Sequence, residues 1–267
     1  MCRLVGIVAS EPTEFGLCLH TAERSLASLS REHPDGWGIA IHDVDWRVHK
    51  GIERAFEDRR FHEIAARSRG HMLIAHIRQK TVGPTSLENT HPFERDGWVF
   101  AHNGTIAEID LLRRETSTAR LAQITGDTDS ELLFAHLLTL LDEHRAHDDL
   151  RLTTRVLANA TADLRARKVG AFNFLLSDGE VTFVHRCGRS LFLLERGPGD
   201  PMVEKRDLDS KTTLVTRWTS RRRAVLVASE RVTNEPWQEV PEGSFFRIDR
   251  GPVPRIVSGD EEEKIAS

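Results

Sequence analysis

The chain has 267 residues, of which 39% are hydrophobic and 29% charged, and its formal net charge is -4. This composition supports a sizeable core, which excludes a mainly disordered chain and a broad basic surface for nucleic acid. No apolar run reaches the roughly 18–20 residues that cross a bilayer, and the three cysteines are too scattered for a disulfide framework, so we expect a soluble, cytoplasmic protein without nucleic-acid or membrane partners.

Ten short apolar segments predict β-strands along the chain. The early ones are bounded by Gly, Asp, His or Pro, which are residues that end strands. The predicted strands are 3–9, 37–42, 45–49, 72–77, 97–102, 171–176, 180–185, 190–194, 224–229 and 244–249. Hairpin-like pairs without regular alternation of strand and helix favour a mixed α/β layered domain over a doubly wound parallel sheet.

Three segments carry apolar residues at helical spacing and predict helices. They are 14–29, 129–144 and 150–168. Thr128, followed three residues later by Glu131, predicts a capping box at the start of the second helix. Together with the strands, these helices indicate that the body of the chain is one folded unit.

The predicted domain organisation is a single domain followed by a short tail. Strands and helices mix throughout 2–257, and no linker of low complexity divides them. The last segment, 258–267, is acidic, and we expect it to be a solvated, disordered end.

Cys2 stands directly before the first predicted strand. An initiator methionine is usually removed when the second residue is small, so Cys2 would then carry both a thiol and a free α-amine. An α-amine has a pKa of about 7.7–8.0, and its neutral fraction can accept the thiol proton. Position alone favours the alternative, a small buried residue without a chemical role.

Polar residues follow two apolar strands between positions 72 and 105. Arg78 follows the predicted strand 72–77, and His102-Asn103-Gly104 ends the predicted strand that begins at 97. Adjacent strands would bring these residues together at neighbouring ends. Further along the chain, Asp129 opens the helix 129–144.

These motifs, in this order, resemble the glutaminase domain of class II glutamine amidotransferases, which are N-terminal-nucleophile hydrolases. The residues that carry the resemblance are Cys2, His76-Ile77-Arg78, Asn89-Thr90-His91-Pro92, His102-Asn103-Gly104 and Thr128-Asp129-Ser130-Glu131. The similarity is strong to about His136 and weaker to about Asp249. It implies an α+β, four-layer αββα sandwich with two stacked, mainly antiparallel sheets. The chain looks most like short bacterial members that lack a synthetase domain.

The resemblance implies a catalytic role for three residues. Cys2 would attack the side-chain amide carbon, with its own α-amine as base, and form a thioester. The Asn103 side chain and the Gly104 backbone N–H would form the oxyanion hole, where one donor is typically worth about 100–1,000-fold in rate. Glycine at 104 would also permit a backbone conformation that other residues resist, and it would let the backbone come close.

The resemblance also implies three substrate-binding residues. Arg78 would hold the α-carboxylate of the substrate through a two-pronged contact, which Lys could not reproduce. Asp129 would hold the α-ammonium, and Thr81 would supply a further contact. No cofactor is implied, because the thiol and the amine supply the chemistry.

Each of these residues has a simpler interpretation when taken alone. Asp129 stands in a first helical turn, where the helix dipole favours an acid. Asn103-Gly104 is a strong hairpin-turn signal, and Arg78 could be an ordinary charge at a sheet edge. Four further histidines suggest a metal site only weakly, since they lack paired spacing, and we expect structural roles for them: His76, His91, His102 and His136. The ordered combination of motifs favours the functional interpretation.

The predicted function is hydrolysis of glutamine or of another γ-glutamyl amide, a small-molecule substrate. Gln79 and the segment 33–38 depart from common family residues around the substrate, which leaves both substrate classes open. No part of the chain is left to use the ammonia, so either an acceptor or synthetase subunit acts in trans or the enzyme is a hydrolase. Two alternatives are a non-catalytic glutamine-binding regulatory module and hydrolysis of an unrelated amide.

Overall fold

The computed structural model describes residues 2–80, 83–198, 201–206, 213–217 and 222–258. The strands are β1 (Arg3–Glu14), β2 (Trp37–His42), β3 (Trp46–Gly51), β4 (Arg69–Ile77), β5 (Phe93–Arg95), β6 (Trp98–Ile106), β7 (Gly170–Ser177), β8 (Val181–His185), β9 (Phe192–Arg196), β10 (Pro201–Arg206), β11 (Thr213–Arg217), β12 (Ala224–Ala228), β13 (Gln238–Glu239), β14 (Phe245–Asp249) and β15 (Arg255–Ser258). The α-helices are α1 (Leu26–Leu29), α2 (Arg59–Arg67), α3 (Ile109–Glu115), α4 (Thr118–Leu121), α5 (Asp129–His144) and α6 (Leu150–Ala166), and a short π-helix spans Leu17–Thr21.

The strands form two large sheets and a separate hairpin. The seven-stranded sheet has the order β13-β9-β12-β1-β4-β2-β3, the six-stranded sheet has the order β15-β14-β8-β7-β6-β5, and β10 pairs with β11. All the strand pairs with a described register are antiparallel. Chain neighbours pair through short turns, as β2–β3 and β7–β8 do, whereas the central pair β1–β4 joins distant segments.

Three apolar clusters separate four layers of secondary structure. The π-helix, α1 and α2 pack on the outer face of the seven-stranded sheet, where Phe15, Leu19 and Phe61 are fully buried. Helices α3 to α6 cover the outer face of the six-stranded sheet. A third cluster, which includes Leu4 and Leu175, lies between the two sheets. The layer order is therefore αββα.

Strand alternation decides which residues face the space between the sheets. In β1, Leu4 and Val8 belong to the middle cluster, while Val5 and Ile7 belong to the outer one. Successive side chains point to opposite faces, so Cys2 shares the inner face with Leu4. The same alternation in β6, where residues 99 and 101 face inward, directs Asn103 toward the other sheet.

The structure corrects several element predictions from the sequence. The segment 14–29 is not one helix, because β1 extends to Glu14 and Ser25 caps the separate helix α1. Apolar spacing there was helical, but the chain breaks into short pieces. The second helix was predicted with its true bounds. Thr128 Oγ accepts the Glu131 N–H at 3.2 Å, as a capping box requires, but the Glu131 carboxylate binds Gly126 N–H instead of the cap.

Candidate active site

Cys2 lies at the end of the seven-stranded sheet, opposite Arg78. The register of β1 and β4 pairs Arg3 with Ile77, which places the two flanking residues side by side. The Cys2 Sγ accepts the Gln79 N–H at 3.2 Å and lies 3.3 Å from the Gln79 carbonyl oxygen, to which a thiol proton can be donated. The thiol is thus held by the backbone of the residue that follows Arg78.

The environment of Cys2 keeps its thiol protonated at neutral pH. Burial raises the pKa of the Cys2 thiol, and the hydrogen bond from Gln79 and the positive charge of Arg78 offset only part of that rise. A protonated thiol is a weak nucleophile, because the thiolate is the reactive form. Any reaction at Cys2 therefore needs a base close to the sulfur.

Asn103 reaches across from the six-stranded sheet to Cys2. Its side-chain Nδ2 donates to the Cys2 carbonyl oxygen at 3.1 Å, and Asn103 is only 5% exposed. A carboxamide nitrogen carries two N–H donors, so this bond uses one of them. The second N–H belongs to a group already fixed beside Cys2, which is the arrangement that an oxyanion donor needs.

Gly104 presents its backbone N–H at the open edge of β6. Its partner across the ladder is Phe172, and the Phe172 N–H donates to Cys187 instead, at 2.8 Å. The Gly104–Phe172 pair therefore does not exchange hydrogen bonds, and the Gly104 N–H points away from β7. Among the described residues, β5 pairs with β6 only as far as Phe100, so this edge is open beyond that point.

Of the two reasons expected for glycine at position 104, the structure needs only the close approach of the backbone. The backbone there is not left-handed, so conformational freedom is not required. A Cβ atom at Gly104 would lie 1.9 Å from the Ala171 carbonyl oxygen and 2.7 Å from the His102 Nε2. Close approach of the neighbouring strand therefore excludes a side chain. The Asn103-Gly104 pair is also not a hairpin turn, since β6 continues to Ile106.

Asp129 meets the same open edge of β6. Its Oδ2 accepts the Ile106 N–H at 2.7 Å. Asp129 is the first residue of α5 and is 8% exposed. Residues two apart in a strand are roughly 6.5–7 Å apart and point their N–H groups the same way. The Gly104 N–H and the Asp129 carboxylate therefore stand along one edge, separated by about the length of an amino-acid side chain.

Arg78 is joined to the Asp129 region through one carbonyl and one amide side chain. Its Nη1 donates to the Pro84 carbonyl oxygen at 2.9 Å, and Asn89 Nδ2 donates to the same oxygen at 3.1 Å. Asn89 Oδ1 in turn accepts the Asp127 N–H at 2.7 Å. Arg78 itself is 3% exposed. Asn89 thus fixes the segment that carries Arg78 relative to the start of α5.

The expected histidines are buried, and they do not form a metal cluster. Among the residues that the structure describes, no group of three His, Cys, Asp or Glu side chains is arranged to hold a metal ion. His76 and His91 lie with their rings 4.3 Å apart, and burial lowers the pKa of His76 to about 3. His102 contacts the Ser130 hydroxyl at 2.8 Å through Nδ1. In the described part of the chain, no helix is both long and apolar enough to span a bilayer.

The structure brings together most of the residues that the sequence singled out. Cys2, Arg78 and Asn103 meet directly or through Gln79, although β4 and β6 belong to different sheets and are not adjacent strands. Thr81 lies outside the described residues. Sequence reasoning did not identify the contact of Gln79 with the sulfur, because a backbone contact leaves no residue-type signal.

Two stacked antiparallel sheets between helix layers define the α+β fold class of N-terminal-nucleophile hydrolases, as expected. The model of the family described as "Glutamine amidotransferases class-II" matches residues 1–267, so the chain belongs to that family.

Individual relatives agree with this assignment over most of the chain. The chain is 30% identical over 261 residues to the glutamine amidotransferase YafJ, so named in Escherichia coli K12, and the match covers 92% of this chain and 96% of YafJ. It is 26% identical over 209 residues to a γ-glutamyl-hercynylcysteine sulfoxide hydrolase of Mycobacterium tuberculosis, with 74% and 82% covered. The crystal structure of a predicted glutamine amidotransferase from Pseudomonas aeruginosa superposes with a TM-score of 0.65 at 27% identity, covering 96% of this chain and 99% of the other.

Proposed function

We propose that this protein hydrolyses the side-chain amide of glutamine or of another γ-glutamyl amide through a thioester on Cys2. The observation that carries the proposal is the set of contacts around Cys2: its thiol bonds to the backbone of Gln79, which follows Arg78, and its carbonyl oxygen accepts a hydrogen bond from the Asn103 side chain. A cationic side chain for a carboxylate and an amide donor for an oxyanion are the groups that this reaction needs beside a thiol.

Removal of Met1, which precedes the first turnover, frees the α-amine of Cys2. The neutral amine takes the thiol proton, and the thiolate attacks the amide carbon of the substrate. Asn103 Nδ2 and the Gly104 N–H stabilise the oxyanion of the tetrahedral intermediate. The protonated α-amine of Cys2 then gives its proton to the leaving nitrogen, which departs as ammonia or an amine. The acyl group stays on Cys2 as a thioester.

Water completes the cycle. The amine, now neutral again, accepts a proton from water as the hydroxide attacks the thioester carbon, and the carbon–sulfur bond breaks. Glutamate leaves, and the proton returns to the sulfur. Arg78 and Asp129 hold the α-carboxylate and the α-ammonium of the γ-glutamyl group throughout, and Thr81 contributes a further contact.

The similarity to the mycobacterial hydrolase supports hydrolysis over transfer to an acceptor. That relative is named for cleavage of a γ-glutamyl compound. If a synthetase subunit acted in trans, its acceptor would consume the released ammonia, and little of it would appear free in solution. Release of free ammonia or amine by the purified chain alone, at a rate that an added cell extract does not raise, would favour hydrolysis.

The test of the proposal is an intact-mass spectrum with and without a diazo-ketone analogue of glutamine, which alkylates an activated thiol in a glutamine-shaped pocket. We expect a chain that lacks Met1 and gains one adduct. Cys2→Ala should gain none, while Cys187→Ala, which removes another partly buried thiol, should still be labelled. Retention of Met1 in active protein, or labelling that survives Cys2→Ala, would overturn the mechanism.

A further inference from the structure

Asn89 is a buried amide side chain that has no part in the reaction described so far. It lies between β4 and β5 and is 1% exposed. Its Nδ2 donates to the Pro84 carbonyl oxygen at 3.1 Å, and its Oδ1 accepts the Asp127 N–H at 2.7 Å. Both ends of the carboxamide are therefore engaged, and each end holds a different segment of the chain.

Each of these two segments leads to a charged residue of the candidate site. The Pro84 carbonyl oxygen that Asn89 binds also accepts a hydrogen bond from Arg78 Nη1, at 2.9 Å. Asp127 stands two residues before Asp129, which is the first residue of α5. One end of the amide thus fixes the acceptor of the Arg78 guanidinium, and the other end fixes the backbone that leads into Asp129.

Two glycines make room for the Asn89 side chain. A Cβ atom at Gly83 would lie 2.8 Å from Asn89 Nδ2, and one at Gly126 would lie 2.3 Å from Asn89 Oδ1. Gly83 also has a φ of 71°, a conformation that residues with a side chain rarely adopt. The backbone on both sides is therefore built closely around this one amide.

A fixed separation between Arg78 and Asp129 matters because their proposed ligands share one carbon atom. The α-carboxylate and the α-ammonium of a γ-glutamyl group cannot move apart, so both contacts form only if the two side chains stand at the matching distance. A misplacement of about 1 Å can cost about 100-fold in rate. Arg78 follows a strand of the seven-stranded sheet, and Asp129 begins a helix of the other half. Asn89 joins the two halves at this point.

We propose that Asn89 is a positioning residue that sets the separation of Arg78 and Asp129, and that it thereby makes the site select substrates that carry both an α-carboxylate and an α-ammonium. This inference rests on the proposed function and adds to it the residue through which the two contacts act together. A substrate with only one of these groups can shift until its single contact forms. Such a substrate gains little from the fixed separation.

The experiment compares kcat/KM for L-glutamine, for glutaramate, which lacks the α-amine, and for 4-aminobutanamide, which lacks the α-carboxylate. Asn89→Ala should lower kcat/KM for glutamine about 10- to 100-fold, mainly through KM, and that for each analogue no more than about threefold. A purely structural role would instead lower all three values by the same factor. The analogues therefore separate positioning from general damage to the fold.

Asn173→Ala is the matched control, because Asn173 is another fully buried asparagine that joins separate segments through its amide. Its Nδ2 donates to the Arg189 and Ser190 carbonyl oxygens at 3.0 and 3.1 Å, and its Oδ1 accepts the Cys187 N–H at 2.8 Å. These bonds hold the turn that follows β8. Asn173→Ala should change kcat/KM for the three substrates by one common factor.

Gly126→Ala tests the same role if Asn89→Ala does not fold. It keeps Asn89 but places a Cβ against Oδ1, so it should also reduce activity on glutamine more than on the two analogues. An equal loss on all three substrates, or a loss confined to kcat, overturns the positioning role, while the diazo-ketone adduct on Cys2 still supports the hydrolase. Absence of both adduct and turnover in the wild type overturns the hydrolase and the positioning role together.

Discussion

The two sheets contribute to the candidate site in different ways. The seven-stranded half supplies its groups from residues just outside its strands: Cys2 stands before β1, and Arg78 follows β4. The six-stranded half supplies Asn103 and Gly104 from within β6, and Asp129 from the first residue of α5. The seven-stranded half therefore presents the thiol next to strand ends that are joined by hydrogen bonds. The six-stranded half presents its hydrogen-bonding groups from within a strand and at the start of a helix.

This difference indicates how each half keeps its geometry. The thiol side depends on a few backbone hydrogen bonds between distant segments, such as those of Gln79 with Cys2. The donor side depends on the β6–β7 ladder and on the buried start of α5. We therefore expect substitutions on the thiol side to alter activity more than stability, and substitutions at Gly104 to alter both.

The largest effect in this comparison is expected for Asn103→Ala. It removes the proposed oxyanion donor and the hydrogen bond to the Cys2 carbonyl, so kcat should fall about 100–1,000-fold. Steady-state release of ammonia or amine measures it. The diazo-ketone adduct should still form, although more slowly. A kcat within threefold of the wild type would contradict the role of Asn103 in the oxyanion hole.

A smaller effect on activity is expected for Arg78→Lys on the thiol side. Lysine keeps the charge but loses the two-pronged geometry, so KM should rise about ten- to hundredfold while kcat changes less. The midpoint of thermal unfolding should stay near that of the wild type. If Arg78→Lys lost mainly kcat with KM unchanged, Arg78 would not be a ground-state substrate contact.

Gly104→Ala tests whether a residue on the donor side is also needed for the stability of the fold. Its new Cβ would clash with a backbone oxygen, which cannot turn aside, so β6 and β7 must separate. We expect a loss of about 1–3 kcal/mol in the free energy of unfolding, measured by urea denaturation. Gly16→Ala is the control, since its nearest neighbour would be 3.4 Å from the Cβ. Equal stability of the two variants would disprove the clash.

The smallest predicted effect concerns the stability of the protein in acid, which depends on a histidine buried between the two sheets. Burial holds the pKa of His76 at about 3, whereas the unfolded chain takes up that proton near pH 6.5. The stabilising contribution is therefore complete above about pH 6.5 and is lost progressively as the pH falls toward 3. From pH 6.5 to 5 the loss for His76 should be about 2 kcal/mol.

His76→Phe should flatten the pH dependence of the free energy of unfolding over this range. The ring stays, so packing against His91 is largely kept. His144→Phe, a substitution of an exposed histidine, should leave the wild-type pH dependence in place. Parallel curves for His76→Phe and the wild type would show that His76 does not contribute to acid unfolding.

Much of the site could be predicted because its chemistry depends on residue types in a fixed order. Cys2, Arg78, Asn103 and Asp129 were named from the sequence, and the structure places Cys2 beside Gln79 and Asn103, although not through the adjacent strands that the sequence predicted. The helix from Asp129 to His144 was also predicted with its true bounds, since its cap and apolar spacing agree. Local pattern is sufficient where a capping residue precedes a long run of apolar residues.

Other features escaped prediction for a shared reason. The helix expected over 14–29 is broken: Glu14 pairs with β4 as the last residue of β1, and Ser25 begins a separate short helix. The contact of Gln79 with the sulfur and the link of Asn89 to Asp127 use backbone groups or residues far apart in the chain. Such contacts leave no periodic signal.

The sequence by itself determined the family of this protein and the residues that carry charge or a thiol, because the family motifs depend on residue identity. Local periodicity indicated only a mixed α/β domain, and the α+β class followed from the family resemblance. Only the tertiary structure decided that Cys2 and Asn103 come from opposite sheets and that Gly104 is required by the approach of Ala171. These facts depend on how two sheets stack and where distant segments meet. That geometry arises from packing of the whole chain.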